Sequence, residues 1–167
     1  MLCPCQSSQP YADCCQPFHT GQRQPENAEQ LMRSRYAAYA LQQIDYLVRT
    51  TVPAQQPLLD VNSIAQWSRE AQWLGLTVHQ HIPRIGKRHA QVAFTARFAE
   101  HGSAHEHNEL STFVQINGAW YFICRNQQRC LHFSDFGCRQ IWQVLQVVKN
   151  AERHGEAAWF LIICESC

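Results

Sequence analysis

The chain has 167 residues, 46% of them apolar, with nine cysteines and a formal net charge of +1. No stretch approaches the about 18–20 consecutive apolar residues of a membrane span, and so small a charge gives no general drive toward nucleic acid or anionic lipid. The first residues lack a charged segment followed by a long apolar one, so no secretory signal is expected; nine cysteines without export imply a reducing, cytoplasmic setting where clustered thiols bind metal.

The N-terminus carries the densest chemistry. Cys3-Pro4-Cys5 and, eight residues on, Cys14-Cys15 place four thiols within thirteen residues. Four thiolates can close a tetrahedral zinc site, and a site so closed has no open position for hydrolysis. Pro4 narrows the backbone choices of the first pair. The polar segment between the pairs, residues 6–13, is turn-prone and holds one aromatic, Tyr11, to cover the ion. The pairs lack the two inner residues of the commoner finger pattern, so the reading rests on clustering. Two disulfides or free thiols are the plainer alternative. With Zn²⁺ bound, four thiolates leave a formal charge of −2, while Lys87 and Lys149 are the only lysines and Arg23 the only basic side chain before Arg33. Such a knuckle is a poor phosphate docker, which favours a protein contact.

A Gly/Pro/Gln-rich linker is expected from Phe18 to Glu26. Asn27 then caps a helix from Ala28, with Gln30 completing part of a capping box. Leu31, Arg35, Ala38 and Leu41 recur at helical spacing, flanked by Tyr36 and Tyr39. A short second helix carries Ile44, Leu47 and Val48 and ends before Pro53. A third runs from Ile64 to Gln72, capped by Asn62 or Ser63. From there the period changes. Leu76, Val78, Val92, Phe94, Ala96, Phe98, Phe113 and Tyr121 lie in alternating runs, and Asn117-Gly118 marks a hairpin. Helices first and a meander afterwards predict an α+β fold: N-terminal helices packed on a curved antiparallel sheet, forming a cone.

Within that cone Arg33 and Arg35, two residues apart, point in different directions, so one of them faces Glu109 on the third strand. It forms either an ion pair fixing helix to sheet or, with Tyr36, a pocket for a small ligand. His79 and His81 share one strand face in a regular strand, as do His105 and His107. They are candidates for a second metal site or ordinary exposed histidines. Glu106 and Glu109 have no nucleophile, base and orienter at diagnostic spacing. Trp67, Trp73, Phe94, Phe98, Phe113, Trp120, Tyr121 and Phe122 read as core.

Cys3-Pro4-Cys5-Gln6-Ser7 followed by Tyr11 and Cys14-Cys15 resembles the SEC-C motif, the zinc knuckle also found at the C-terminus of the SecA translocase motor. The usual motif has glycine after the second cysteine and a Gly-Lys-Lys-rich stretch, where this chain has Gln6 and Ser8-Gln9-Pro10. Leu31-Met32-Arg33-Ser34-Arg35-Tyr36, Trp73-Leu74-Gly75-Leu76, Ala96-Arg97-Phe98, Glu109-Leu110-Ser111-Thr112-Phe113 and Gly118-Ala119-Trp120-Tyr121 further resemble the bacterial YchJ family. Together the matches cover roughly residues 1–123. The resemblance implies a knuckle over 1–20, a nuclear-transport-factor-2-like (cystatin-like) domain over 26–123, and zinc on Cys3, Cys5, Cys14 and Cys15. By analogy with SecA it implies contact with an export chaperone or the ribosome, with no membrane and no catalytic residue assigned. The rival readings are a ligand carrier or enzyme using Arg33, Arg35, Tyr36 and Glu109, and nucleic-acid binding by the knuckle, which its missing lysines disfavour.

Residues 124–167 depart from the family. Arg139 to His154 reads as an amphipathic helix stopped by Gly155, and Ala157 to Cys164 as an apolar segment. Alternatively, codons permitted by Gln140-Ile141-Trp142-Gln143-Val144-Leu145, read one nucleotide later, spell Lys-Phe-Gly-Lys-Cys-Cys, the ending of a frame-shifted second knuckle.

Overall fold

The computed structural model describes residues 1–124. Both readings of the tail fall outside the described residues, apart from Cys124 itself. Among the described residues the chain forms a 3₁₀ turn at Tyr11–Asp13, helices α1 (Gln16–His19), α2 (Ala28–Ala40) and α3 (Ile44–Arg49), a second 3₁₀ turn at Pro53–Leu58, and α4 (Val61–Glu70). Strands β1 (Gln72–Ile85), β2 (His89–Glu100), β3 (Ser103–Ile116) and β4 (Ala119–Ile123) follow as one antiparallel sheet in the order β1-β2-β3-β4. The expected α+β cone, helices first and meander after, is what the chain builds.

Helix α2 starts where a cap makes starting cheap. The Asn27 side chain accepts the Gln30 backbone N–H at 2.9 Å, and Gln30 Oε1 accepts the Glu26 N–H, also at 2.9 Å. The reciprocal bond thus closes one residue earlier than a standard capping box. Helix α4 starts earlier than the periodicity predicts. Asp60, rather than Asn62 or Ser63, is its cap, accepting from Ser63 N at 3.0 Å and from Ser63 Oγ at 2.8 Å. Apolar spacing could not reveal this, because the first turn of α4 is mostly exposed.

Helix α2 is buried almost all round, which explains its weak amphipathic pattern: Leu31, Met32, Ser34, Arg35, Tyr36, Ala37 and Ala38 are all buried. Leu31, Met32, Tyr36 and Ala38 join Leu47, Ile64 and Leu76 with Val92, Phe94, Ala96 and Phe113 of the sheet's inner face. Ala37 points elsewhere and packs against Cys3, Cys5 and Cys15. The helix is therefore held between the N-terminal segment and the sheet. Tyr39, Trp67, Trp73 and Phe98 pack as neighbouring rings, with Trp67 and Trp73 edge-on at 4.6 Å. Such a cluster is core, as their patterning suggests.

The Asn117-Gly118 turn closes β3 onto β4 with both residues at positive φ (51° and 84°), which matches the twist of the flanking strands. Strand β1 carries register shifts at Trp73/Gly75 and Val78/Gln80. The second shift breaks the alternation that would keep His79 and His81 on one face.

Candidate metal centre

The first four cysteines converge. Their sulfurs all lie within 4.8 Å of one another, with Cys5–Cys14 at 3.5 Å and Cys14–Cys15 at 3.8 Å. Tetrahedral Zn–S bonds of about 2.3 Å place neighbouring sulfurs roughly 3.8 Å apart, so the set fits a thiolate-held divalent ion with little adjustment. Cys3, Cys5 and Cys15 are buried and Cys14 is half-buried. All four are free thiols, so the disulfide alternative does not describe this arrangement. Among the described residues this is the one group of histidine, cysteine or acid side chains gathered closely enough to hold a metal.

Local structure explains the convergence. Cys3 N–H donates to Gln9 O at 2.8 Å, and Leu2 bridges Pro10, which folds the segment back on itself. Cys14 N–H donates to Tyr11 O at 3.1 Å, closing the 3₁₀ turn that delivers the second pair. Ser7 Oγ lies 3.1 Å from Cys14 Sγ. The electrostatics favour a cation. Hydrogen bonds from Cys15 and Cys3 hold the Cys5 thiol far below its ordinary range. Hydrogen bonding to Cys3 and Cys5, together with burial and neighbouring charge, pushes Cys15 far above it. Four thiolates brought this close repel one another and need a divalent ion among them.

Gln6 and Ser8 both adopt φ 62°, the left-handed region. These are the positions where the usual motif has glycine, and a side chain there costs about 1–2 kcal/mol, partly offset by the chain entropy glycine loses. Replacing both, Gln6→Gly with Ser8→Gly, is expected to stabilise the knuckle by about 1 kcal/mol. Chelator competition against the unsubstituted chain reads this directly, and weaker metal retention in the double variant would contradict it.

Of the four residues proposed for a pocket, Arg33, Tyr36 and Arg35 have different surroundings. Arg33 faces the knuckle: its Nη1 donates to Cys5 O at 3.1 Å and its Nε to Glu29 at 2.8 Å. Tyr36 lies edge-on to Trp73 at 5.4 Å, and burial pushes its phenol up to about 12 against the pull of the Gly75 backbone and Arg97. Arg35 is the one turned inward. Its Nη1 donates to Leu47 O at 2.8 Å and Thr50 Oγ1 at 2.7 Å, and its guanidinium stands 4.4 Å from the centre of the Phe122 ring. Burial holds it below the usual guanidinium range, and the Glu109 charge is among the influences raising it. Glu109 itself bonds His107 Nε2 at 2.9 Å and Ser111 Oγ.

The histidine pairs do not assemble a second metal site among the described residues. The β1 bulge sends His79 toward Thr95 Oγ1 at 2.6 Å, while His81 lies 3.7 Å from Glu29. His105 stacks on Phe98.

His19 is the residue the sequence reading missed. The expected linker from Phe18 includes the end of α1, and Phe18 and His19 are both buried. The available signal was a histidine four residues after Cys15, one helical turn away. Its Nε2–H donates to Ser34 O at 2.8 Å, leaving Nδ1 to accept from Tyr11 OH at 2.8 Å. Burial lowers its pKa, in keeping with a neutral ring.

Known proteins are similar to this chain. A family model described as the YchJ middle NTF2-like domain matches residues 27–124, and the SEC-C motif matches residues 2–17. A UPF0225 protein of Actinobacillus succinogenes is 50% identical over 122 residues, covering 73% of this chain and 79% of the relative. A UPF0225 protein of Haemophilus influenzae is 48% identical over 121 residues, covering 72% of this chain and 74% of its own length. The crystal structure of a SEC-C motif containing protein from Psychrobacter arcticus superposes with a TM-score of 0.70 at 42% identity, covering 81% of this chain and 85% of that one. The solution structure of a SEC-C motif containing protein from Rhodopseudomonas palustris gives 0.68 at 39% identity, covering 74% and 96%.

Proposed function

The chain belongs to the family defined by the YchJ middle NTF2-like domain, and from that premise we propose that it is a zinc-binding protein whose knuckle serves as a rigid interaction module. Cys3, Cys5, Cys14 and Cys15 are the ligands. Residues 1–20 form the knuckle and 26–123 the domain that carries it. The observation behind this reading is the meeting of four free, mostly buried sulfurs within 4.8 Å. An all-sulfur donor set suits zinc among the divalent ions that need no redox partner. Four protein ligands leave no coordination position for a substrate, so the ion holds shape and takes no part in chemistry. Free thiols at such density fit a reducing, cytoplasmic setting. Among the described residues no helix is long and apolar enough to cross a membrane.

The knuckle's outer surface adds to the interaction reading. Met1 and Leu2 are 79% and 70% exposed, and no lysine stands near them in sequence. By analogy with the knuckle of SecA, the partner is an export chaperone or the ribosome. The test has two arms. Elemental analysis of the purified protein is expected to give about one zinc per chain, removable by a strong chelator. Binding to an export chaperone and co-sedimentation with ribosomes are then measured with and without the chelator. Zinc-dependent retention by either supports the module; a zinc-loaded protein retained by neither overturns its interaction role and leaves the site structural.

A further inference from the structure

We propose that His19 and Tyr11 form a positioning relay that fixes the second cysteine pair of the metal centre to helix α2, so that metal affinity depends on two side chains that never touch the ion. The proposal rests on the four-thiolate reading above. It concerns how that site is held.

The relay can be followed atom by atom. Ser34 O, on the knuckle-facing side of α2, accepts the His19 Nε2–H at 2.8 Å. His19 Nδ1 accepts from Tyr11 OH at 2.8 Å. Tyr11 O accepts the Cys14 N–H at 3.1 Å, and Tyr11 N–H donates to Met1 O at 3.1 Å. His19 N–H donates to Cys15 O, also at 3.1 Å. His19 thus meets both cysteines of the second pair: its main-chain N–H bonds Cys15 O, and its ring holds Tyr11, whose carbonyl takes the Cys14 N–H.

The relay's far end is anchored as firmly. The His19 ring stands 4.6 Å from the Tyr46 ring, and Tyr46 OH bonds Ser34 Oγ at 2.7 Å. Arg49 Nη2 donates to Phe18 O at 3.0 Å and His19 O at 2.6 Å, closing the C-terminal end of α1. His19 is 6% exposed and Ser34 fully buried, so water does not compete for the bond between them. Both ring nitrogens have protein partners, so His19 is not itself a fifth ligand. Ligand sets are commonly oriented by such outer partners, whose loss typically weakens metal binding by about 10–100-fold.

The experiment compares the full chain with Tyr11→Phe, His19→Gln and the double variant. Zinc affinity is measured by chelator competition, and the Co²⁺-substituted site by its thiolate charge-transfer absorption. Tyr11→Phe removes a single oxygen and keeps the ring that packs on the cysteines, so it carries the test even if His19→Gln fails to fold. The glutamine amide can still reach Ser34 O but offers no acceptor placed like Nδ1. Each single variant is expected to bind zinc roughly tenfold or more weakly, with an altered Co²⁺ spectrum, and the double variant to be no worse than the weaker single. Single variants within twofold of the unsubstituted chain, an unchanged Co²⁺ spectrum, or losses that multiply in the double variant would each overturn the relay while leaving the metal site intact. An unsubstituted chain that binds neither ion overturns the metal reading itself, and the relay with it.

Discussion

Cys5→Ser is expected to abolish stoichiometric zinc binding at micromolar free metal and to unfold the knuckle from the domain. Cys5 has no solvent exposure, its sulfur lies 3.5 Å from that of Cys14, and its carbonyl takes the Arg33 guanidinium. A serine hydroxyl remains protonated near neutrality and cannot replace a thiolate ligand, while its burial adds a polar group where a soft sulfur stood. A ligand present at a thousand times its Kd stabilises the folded form by about 4 kcal/mol, and that contribution vanishes with the site. Native mass spectrometry should show the unsubstituted chain one zinc heavier than its apo mass and the variant at apo mass. In thermal melts, a chelator should lower the transition of the former and leave that of the latter unmoved. A variant that keeps one tightly bound zinc would remove Cys5 from the ligand set.

Arg35→Ala is expected to cost about 2–3 kcal/mol of stability, from lost charge-assisted hydrogen bonds and lost packing. The guanidinium is buried where α2, the end of α3 and β4 meet, donating to Leu47 O and Thr50 Oγ1 and stacking on Phe122. Truncation removes two charge-assisted bonds, although Leu47 O keeps Thr51 Oγ1 at 2.9 Å and Thr50 Oγ1 keeps Tyr46 O at 2.6 Å, and it opens a gap against the Phe122 ring. For a domain of this size the melting temperature should fall by roughly 10 °C or more. Arg35→Lys keeps the charge but not the planar fork, and should recover only part of the loss. A loss under about 1 kcal/mol, with a small-molecule ligand released in parallel, would instead return Arg35 to the role of a pocket residue.

The sequence carried the cysteine cluster because ligand chemistry is local: four thiols within thirteen residues need only a turn to meet. The helix-then-meander order was legible for the same reason, since Asn27 and Asn117-Gly118 act on their immediate neighbours. What escaped depended on tertiary placement. His19 looked like linker because its partners, Ser34 and Tyr46, lie 15 and 27 residues away in the chain. Helical spacing offered Arg33 and Arg35 as alternatives facing Glu109; it cannot say that Arg35 donates to Leu47 O and Thr50 Oγ1, or that Arg33 is used by a knuckle carbonyl. The His79–His81 pairing failed through a bulge at Val78/Gln80 that alternation alone does not encode. The glycine positions of the motif were visible as substitutions, while the reason for them, a positive φ at Gln6 and Ser8, required the backbone.

X-ray absorption at the zinc edge of the purified full chain tests the metal centre most directly. The expected spectrum fits a single shell of four sulfurs at about 2.3 Å, with no nitrogen or oxygen neighbour. A shell containing nitrogen or oxygen, a sulfur count below four, or a protein that takes up no zinc once reduced would contradict the assignment of Cys3, Cys5, Cys14 and Cys15.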